Sequence, residues 1–306
     1  MSWKSHTLPR SDDAQVQIYS LAPASPRAIV HINHGMAEHA DRYEQFAEAL
    51  SAAGYAAIAH DHRGHGNSFA PDTPQGHYGP GGFATVIEEV QVVQAHARET
   101  WPGLKLISFG HSMGSIIAFN NALRHPTTID GLALWNSGVE TGALGAVFKA
   151  ILKTERFFKG SDVPSQMAQK LTFQAWNKAF VPNRTDFDWL SRDEIEVDKY
   201  IADPLCGFPV TIGLWLELLD AIYFAADNQN LANLPNTLPV HLLAGDQDPC
   251  SLKGEAVRNI ETRMSRAGLN DVTFTLLKDT RHESLNELNR DETTADFIAW
   301  LDKRFA

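Results

Sequence analysis

A chain of 306 residues, 43% hydrophobic and 21% charged, has ordinary globular composition and the length for one α/β sheet carrying an insertion. Its formal net charge of −11, with no local cluster of Lys and Arg along the chain, argues against phosphate backbones and anionic lipid heads as partners, so no nucleic acid is expected. No stretch approaches the ~20 apolar residues of a membrane span, the N-terminal MSWKSHTLPRSDDAQ lacks the apolar core of a secretion signal, and Cys206 and Cys250 form no CxxC pair; a cytoplasmic protein with two free thiols is expected.

From Arg27 onward, short β-branched runs alternate with segments of helical spacing, the pattern of a mostly parallel sheet with crossover helices. Strands are predicted at 27–33, 55–61, 104–109 and 129–136. Between them the spacing predicts helices at 41–53, ended by Gly54, at 83–100, ended by Pro102-Gly103, and at 112–124, ended by His125-Pro126. After Gly138 the alternation stops for roughly ninety residues and gives way to helical segments crowded with aromatics, among them Phe148, Phe173, Trp176, Trp189 and Trp215. This predicts a helical cap over 139–233, inserted in a core formed by 1–138 and 234–306. The α/β pattern resumes with strands at 239–245 and 272–277 and helices at 253–267 and 292–305.

Residues 110–114, GHSMG, form a G-x-S-x-G pattern between a predicted strand and a predicted helix, the setting in which a strained turn lifts a serine hydroxyl out of a sheet. Glycine suits positions 110 and 114 because such a turn leaves no room for a Cβ. A serine hydroxyl attacks a carbonyl only when a base takes its proton, so Ser112 needs a histidine oriented by a carboxylate. Of thirteen histidines, His282 stands in a loop just after a predicted strand, where catalytic groups of such sheets gather; His31, inside a strand, and His96 and His125, on or ending helices, read as structural. The loop GDQDP after the strand 239–245 offers both Asp246 and Asp248 as the acid. The N–H groups of Met36 and Met113, each at the start of a segment following a strand, are assigned as oxyanion donors. HDHRGHG, at 60–66, has the ligand types of a metal site, but Arg63 would repel a cation, and a hydrogen-bonded turn is the preferred reading; no metal is expected.

HGMAEHADRYEQFAEAL (34–50), DHRGHGNS (61–68), GHSMGS (110–115), DPLCGF (203–208), GDQDPCS (245–251) and RHESLNE (281–287) together resemble the monoacylglycerol lipase and lysophospholipase branch of the α/β-hydrolases, also labelled the serine aminopeptidase S33 group. The resemblance covers nearly the whole chain and is weakest in the cap between Val139 and Ala202. It implies an α/β-hydrolase fold, places the acid on Asp248 rather than Asp246, the base on His282, and the oxyanion donors on Met36 and Met113. The implied activity is two-step hydrolysis of monoacylglycerol-like or other small lipid esters through an acyl-enzyme on Ser112, with no cofactor. Lysophospholipid hydrolysis is an alternative. So is a small-peptide aminopeptidase, with Glu38, Glu217 and Asp220 as candidates to hold an α-amine. A non-catalytic ligand-binding member of the same fold is the remote alternative. Cys250, two residues beyond Asp248, is expected to border the site.

Overall fold

The computed structural model describes residues 3–10, 14–139 and 142–305. In chain order the strands are β1 (Lys4–Pro9), β2 (Gln15–Leu21), β3 (Ala28–Asn33), β4 (Ala56–His60), β5 (Lys105–His111), β6 (Gly131–Trp135), β7 (Val240–Gly245) and β8 (Val272–Leu277). They form one sheet in the spatial order β1-β2-β4-β3-β5-β6-β7-β8. Strands β3 to β8 are parallel and lie within two residues of their predicted positions. The edge strand β1 and its neighbour β2, which pairs antiparallel with both β1 and β4, were not predicted. β1 is exposed along its length and has no alternation to reveal it, whereas β2, QVQIYSL, buries Val16 and Ile18 between polar neighbours, a period-two signal that the sequence does carry.

The inner parallel strands, β3 to β7, are buried on both faces, because helices cover both, whereas β8 at the edge is only half-buried. Ile29, Leu106, Leu132 and Leu242 point to the side covered by α2 (Gly82–Thr100), α3 (Met113–Arg124) and α10 (Glu255–Arg266). Their neighbours Val30, Ile107, Ala133 and Leu243 point the other way, against α1 (Glu44–Ala52) and α11 (Arg290–Phe305). The helix predicted over 41–53 is broken: a 3-10 turn, Ala40–Tyr43, precedes α1.

Between β6 and β7 the described chain is helical: α4 (Ala143–Lys159), α5 (Gln166–Leu171), α6 (Phe173–Asn177), α7 (Glu194–Ala202), α8 (Ile212–Ala226) and α9 (Asn228–Leu231). Residues 140 and 141, within the cap predicted from sequence, lie outside the described residues. α8 shares a buried apolar cluster with α2 and α3, whereas α4 leaves Leu144, Val147, Phe157 and Phe158 exposed. No described helix is long and apolar enough to cross a membrane.

The strand order reverses beside β3, which has β4 on one side and β5 on the other. Ligands of open α/β sheets bind beyond the carboxyl ends of the strands at such a reversal. The loops after β3, β5, β7 and β8 all open there, and they carry Met36, Ser112, Asp248 and His282 respectively.

Candidate active site

Ser112 is the residue between β5 and α3, and its backbone sits at φ 52 and ψ −118, a conformation that costs on the order of 1–3 kcal/mol for a residue with a side chain. Close packing imposes it. A Cβ on Gly110 would come within 2.3 Å of the Gly114 carbonyl oxygen, and one on Gly114 within 2.0 Å of the Asn33 carbonyl oxygen, so only glycine lets the strand turn sharply into the helix. Ser115 holds the turn from below, donating from its hydroxyl to the Gly110 carbonyl at 2.6 Å and accepting the Trp135 N–H at 2.9 Å.

The Ser112 hydroxyl lies 3.0 Å from His282 Nε2, and His282 Nδ1 lies 3.0 Å from Asp248 Oδ1. With Nδ1 donating to the carboxylate, Nε2 is left free to accept the serine proton. Asp248 is fully buried and also accepts the Cys250 N–H at 2.9 Å. Burial alone would lower the His282 pKa, but the Asp248 charge and hydrogen bond, with Glu283 and Glu38 behind them, hold it above the usual histidine value. Burial would likewise raise Asp248, and the His282 contact outweighs it to hold the carboxyl below its usual range.

The structure brings Asp248, not Asp246, to the histidine. Asp246 turns its carboxylate to the Thr280 N–H at 3.4 Å. Met36 and Met113 flank Ser112, and among the described residues neither N–H is engaged by another protein group. The three carboxylates considered for holding an amine are not brought together. Glu38 pairs with Arg42, Glu217 accepts the Phe83 N–H, and Asp220 pairs with Lys149.

Two cavities meet at Ser112 and Met36. One, of about 260 Å³, is walled by Ile116, Phe148, Trp176, Trp215, Leu219 and Ile222, with Cys250 at its side. The other, of about 100 Å³, is lined by Gln169, Gln174, Asp186, His111 and Glu283 together with aromatic rings from the cap. The Cys250 thiol is pushed up by burial and by Asp248.

HDHRGHG folds as a turn. Asp61 accepts the Ala40 and Asn67 N–H groups, both at 2.8 Å, and Arg63 pairs with Glu89 at 2.6 Å in the interior. Among the described residues, the group whose ligand atoms come close enough for an ion is instead His39, Asp203 and Cys206. His39 already bonds Asp203 at 2.8 Å, and burial pushes the Cys206 thiol up, both of which work against a cation there.

Sequence reading did not single out four residues of the site. His111 and Trp189 both pack against the His282 ring, each with its centroid 4.8 Å away, and Glu283 and Arg42 form an ion pair just beyond. His111 and Glu283 adjoin residues already marked by motif. Trp189 was visible only as one aromatic among many. The helical stretch between β6 and β7 is also tied directly to the base loop: the Leu190 carbonyl accepts the Glu283 N–H at 2.8 Å, Ser191 donates to the Asn286 carbonyl at 2.8 Å, and Arg192 and Arg290 pair with Glu287 and Asp193 across the seam.

A family model described as serine aminopeptidase, S33, matches residues 24–289. The chain is 30% identical over 239 residues to a monoglyceride lipase of Mus musculus, covering 75% of this chain and 68% of that one. It is 28% identical over 279 residues to a monoacylglycerol lipase of Mycolicibacterium smegmatis, covering 90% and 88%. A solved carboxyl esterase from Bacillus coagulans, in complex with glycerol, has a TM-score of 0.89 over 100% of both chains; at 24% identity, that likeness is one of fold.

Proposed function

Because the chain belongs to the serine aminopeptidase S33 family of α/β-hydrolases and is a hydrolase, we propose that it cleaves monoacylglycerol-like esters through an acyl-enzyme on Ser112. The observation that carries this reading is the meeting of an apolar and a polar cavity at a serine in hydrogen-bond relay with His282 and Asp248. An acyl chain fits the first cavity and a small hydroxylated alcohol the second, which sets the ester carbonyl over Ser112. His282 takes the hydroxyl proton as oxygen attacks carbon, and the N–H groups of Met36 and Met113 receive the developing oxyanion. His282 then hands the proton to the leaving alcohol. Water, deprotonated by the same imidazole, releases the acid.

A peptidase reading has less support, since the two buried carboxylates of the polar cavity, Glu38 and Glu283, are both held by Arg42, so neither presents a free carboxylate to an ammonium group. The test is a panel of monoacylglycerols, lysophosphatidylcholine and aminoacyl anilides with wild type and Ser112→Ala. Turnover of monoacylglycerols that disappears in the variant is the expected result. Equal turnover in both proteins, or preferred cleavage of the anilides, would overturn the proposal.

A further inference from the structure

A buried charge cluster sits behind the relay: Glu38 and Glu283, which line the polar cavity, meet at Arg42, which contacts neither Ser112 nor His282. Arg42 donates from Nη1 and Nη2 to the two carboxylate oxygens of Glu283, both at 2.7 Å, and from Nη1 to Glu38. The three side chains are 11%, 7% and 4% exposed. Glu38 Oε1 accepts the Gly35 N–H at 2.5 Å and the Tyr43 hydroxyl at 2.9 Å. Gly35 immediately precedes Met36, and a Cβ there would come within 2.6 Å of Glu38 Oε1, so the carboxylate lies directly under the loop that carries the Met36 N–H. Glu283 immediately follows His282. The Arg42 guanidinium also stacks 4.8 Å from the Tyr200 ring of α7, whose hydroxyl donates to the Ala37 carbonyl at 2.9 Å.

A buried Glu-Arg-Glu triad contributes little stability over an apolar trio of the same size, because desolvating three charges offsets their attraction. What such a triad supplies that an apolar trio does not is direction, since a bidentate guanidinium fixes both the distance and the plane of each carboxylate. We infer that Arg42 is a positioning residue for acyl transfer: it holds the loop of Met36, through Glu38, and the loop of His282, through Glu283, in one fixed register beneath the cap. The inference rests on the proposed role of Ser112 and His282. It makes the base and the oxyanion donor move as one unit, although they come from opposite ends of the chain.

Charge provides a second readout. His282 is faced by Asp248 from the loop after β7, by His111 of β5, by Glu283 in its own loop, by Glu38 with Arg42 from the loop after β3, and from the cap by the uncharged Trp189 ring. Arg42 is the cation that offsets one of the two charges of Glu38 and Glu283. Its loss leaves an excess of carboxylate beside the imidazole.

The test is the second-order rate at which a fluorophosphonate labels Ser112, measured against pH, together with kcat and KM on a soluble ester. For Arg42→Met we expect labelling and kcat to fall about 100-fold with KM nearly unchanged, the loss typical of a displacement of about 1 Å. The acid limb should move to higher pH. Arg42→Lys restores a point charge without the bidentate fork, so it should return the limb toward wild type and leave most of the kcat loss in place. If Arg42→Met does not fold, Arg42→Lys and Glu38→Gln carry the same test, the latter expected to move the limb to lower pH. Labelling within threefold of wild type and an unmoved limb in the folded variants would overturn the inference. So would a loss confined to thermal stability. Wild-type protein that takes no probe at Ser112 would instead overturn the proposed mechanism itself.

Discussion

Ser112 holds its hydroxyl toward His282 only because two glycines let the backbone turn where a Cβ would collide, so the reactivity of one residue depends on the absence of side chains at two others. The aspartates are discriminated at the same scale. Asp248→Asn keeps the shape but allows the imidazole to present the wrong tautomer, and kcat should fall on the order of 10⁴, whereas Asp246→Asn, which loses one contact to Thr280, should change kcat by less than about tenfold. The reverse ranking in steady-state kinetics would place the acid on Asp246. His282 accepts a proton only when neutral, and Asp248 holds its pKa above the usual histidine value; activity should therefore rise with pH along a limb whose midpoint lies above that value. A pH profile of kcat/KM that is flat from pH 5 to 8 would contradict a histidine base.

At the scale of elements, α4 stands apart from the rest of the insertion. Leu144, Val147, Phe157 and Phe158 are exposed along it, the last two by 83% and 77%, and Lys149, Lys153, Arg156 and Lys159 recur at intervals of three or four residues. Two of these cations are paired, Lys149 with Asp220 of α8 and Lys159 with Glu155, and the exposed apolar side chains lie mostly on another face of the helix, a surface suited to a lipid interface. Replacing Phe157 and Phe158 together by Ser should slow turnover of a monoacylglycerol held in anionic vesicles by at least about tenfold, since each ring contributes ~1.5–3 kcal/mol when buried, and leave a soluble p-nitrophenyl ester unaffected. Equal losses on both substrates would show that the two rings support folding instead. The parallel strands were legible because burial on both faces forces continuous apolar runs, and the turn at Ser112 because its glycines are required by contact. The order of the insertion was not legible. Its aromatics have no period that separates Trp189, against His282, from Trp215, in the wall of the apolar cavity. Arg42 and Glu283 stand 241 positions apart, and no local pattern joins them.

The whole molecule carries an unusual load of neutral histidine. His31, His34, His60, His62 and His65 are buried together behind the β3 and β4 ends, with His111 beside the site and His241 under Trp135; in each, burial is the main cause of a lowered pKa, to about 3 for His60 and about 4 for His65. Since the unfolded chain takes up these protons more readily, the stability they contribute is full above about pH 6.5 and is lost as pH falls toward the folded values, by up to ~1.4 kcal/mol per pH unit for each. His282, with a raised pKa, has the opposite sign, contributing below the unfolded value and losing that contribution as pH rises through the folded one. The lowered histidines, with His6 and His77 among them, outnumber His282 and the raised carboxyls Glu38, Asp61 and Glu217, so the urea midpoint should be lower at pH 5.5 than at pH 7.5; a higher midpoint at pH 5.5 would contradict this. The seam between residues 188–193 and 281–290 has a consequence of another kind, for inheritance and for engineering. The insertion is not an exchangeable cassette: a chimera that imports a relative's segment over 139–233 leaves behind Glu283, Asn286, Glu287 and Arg290, the partners that hold its edge in place. Successful grafts should need both segments from one parent, and duplicated genes that diverge in substrate choice should change the two stretches together.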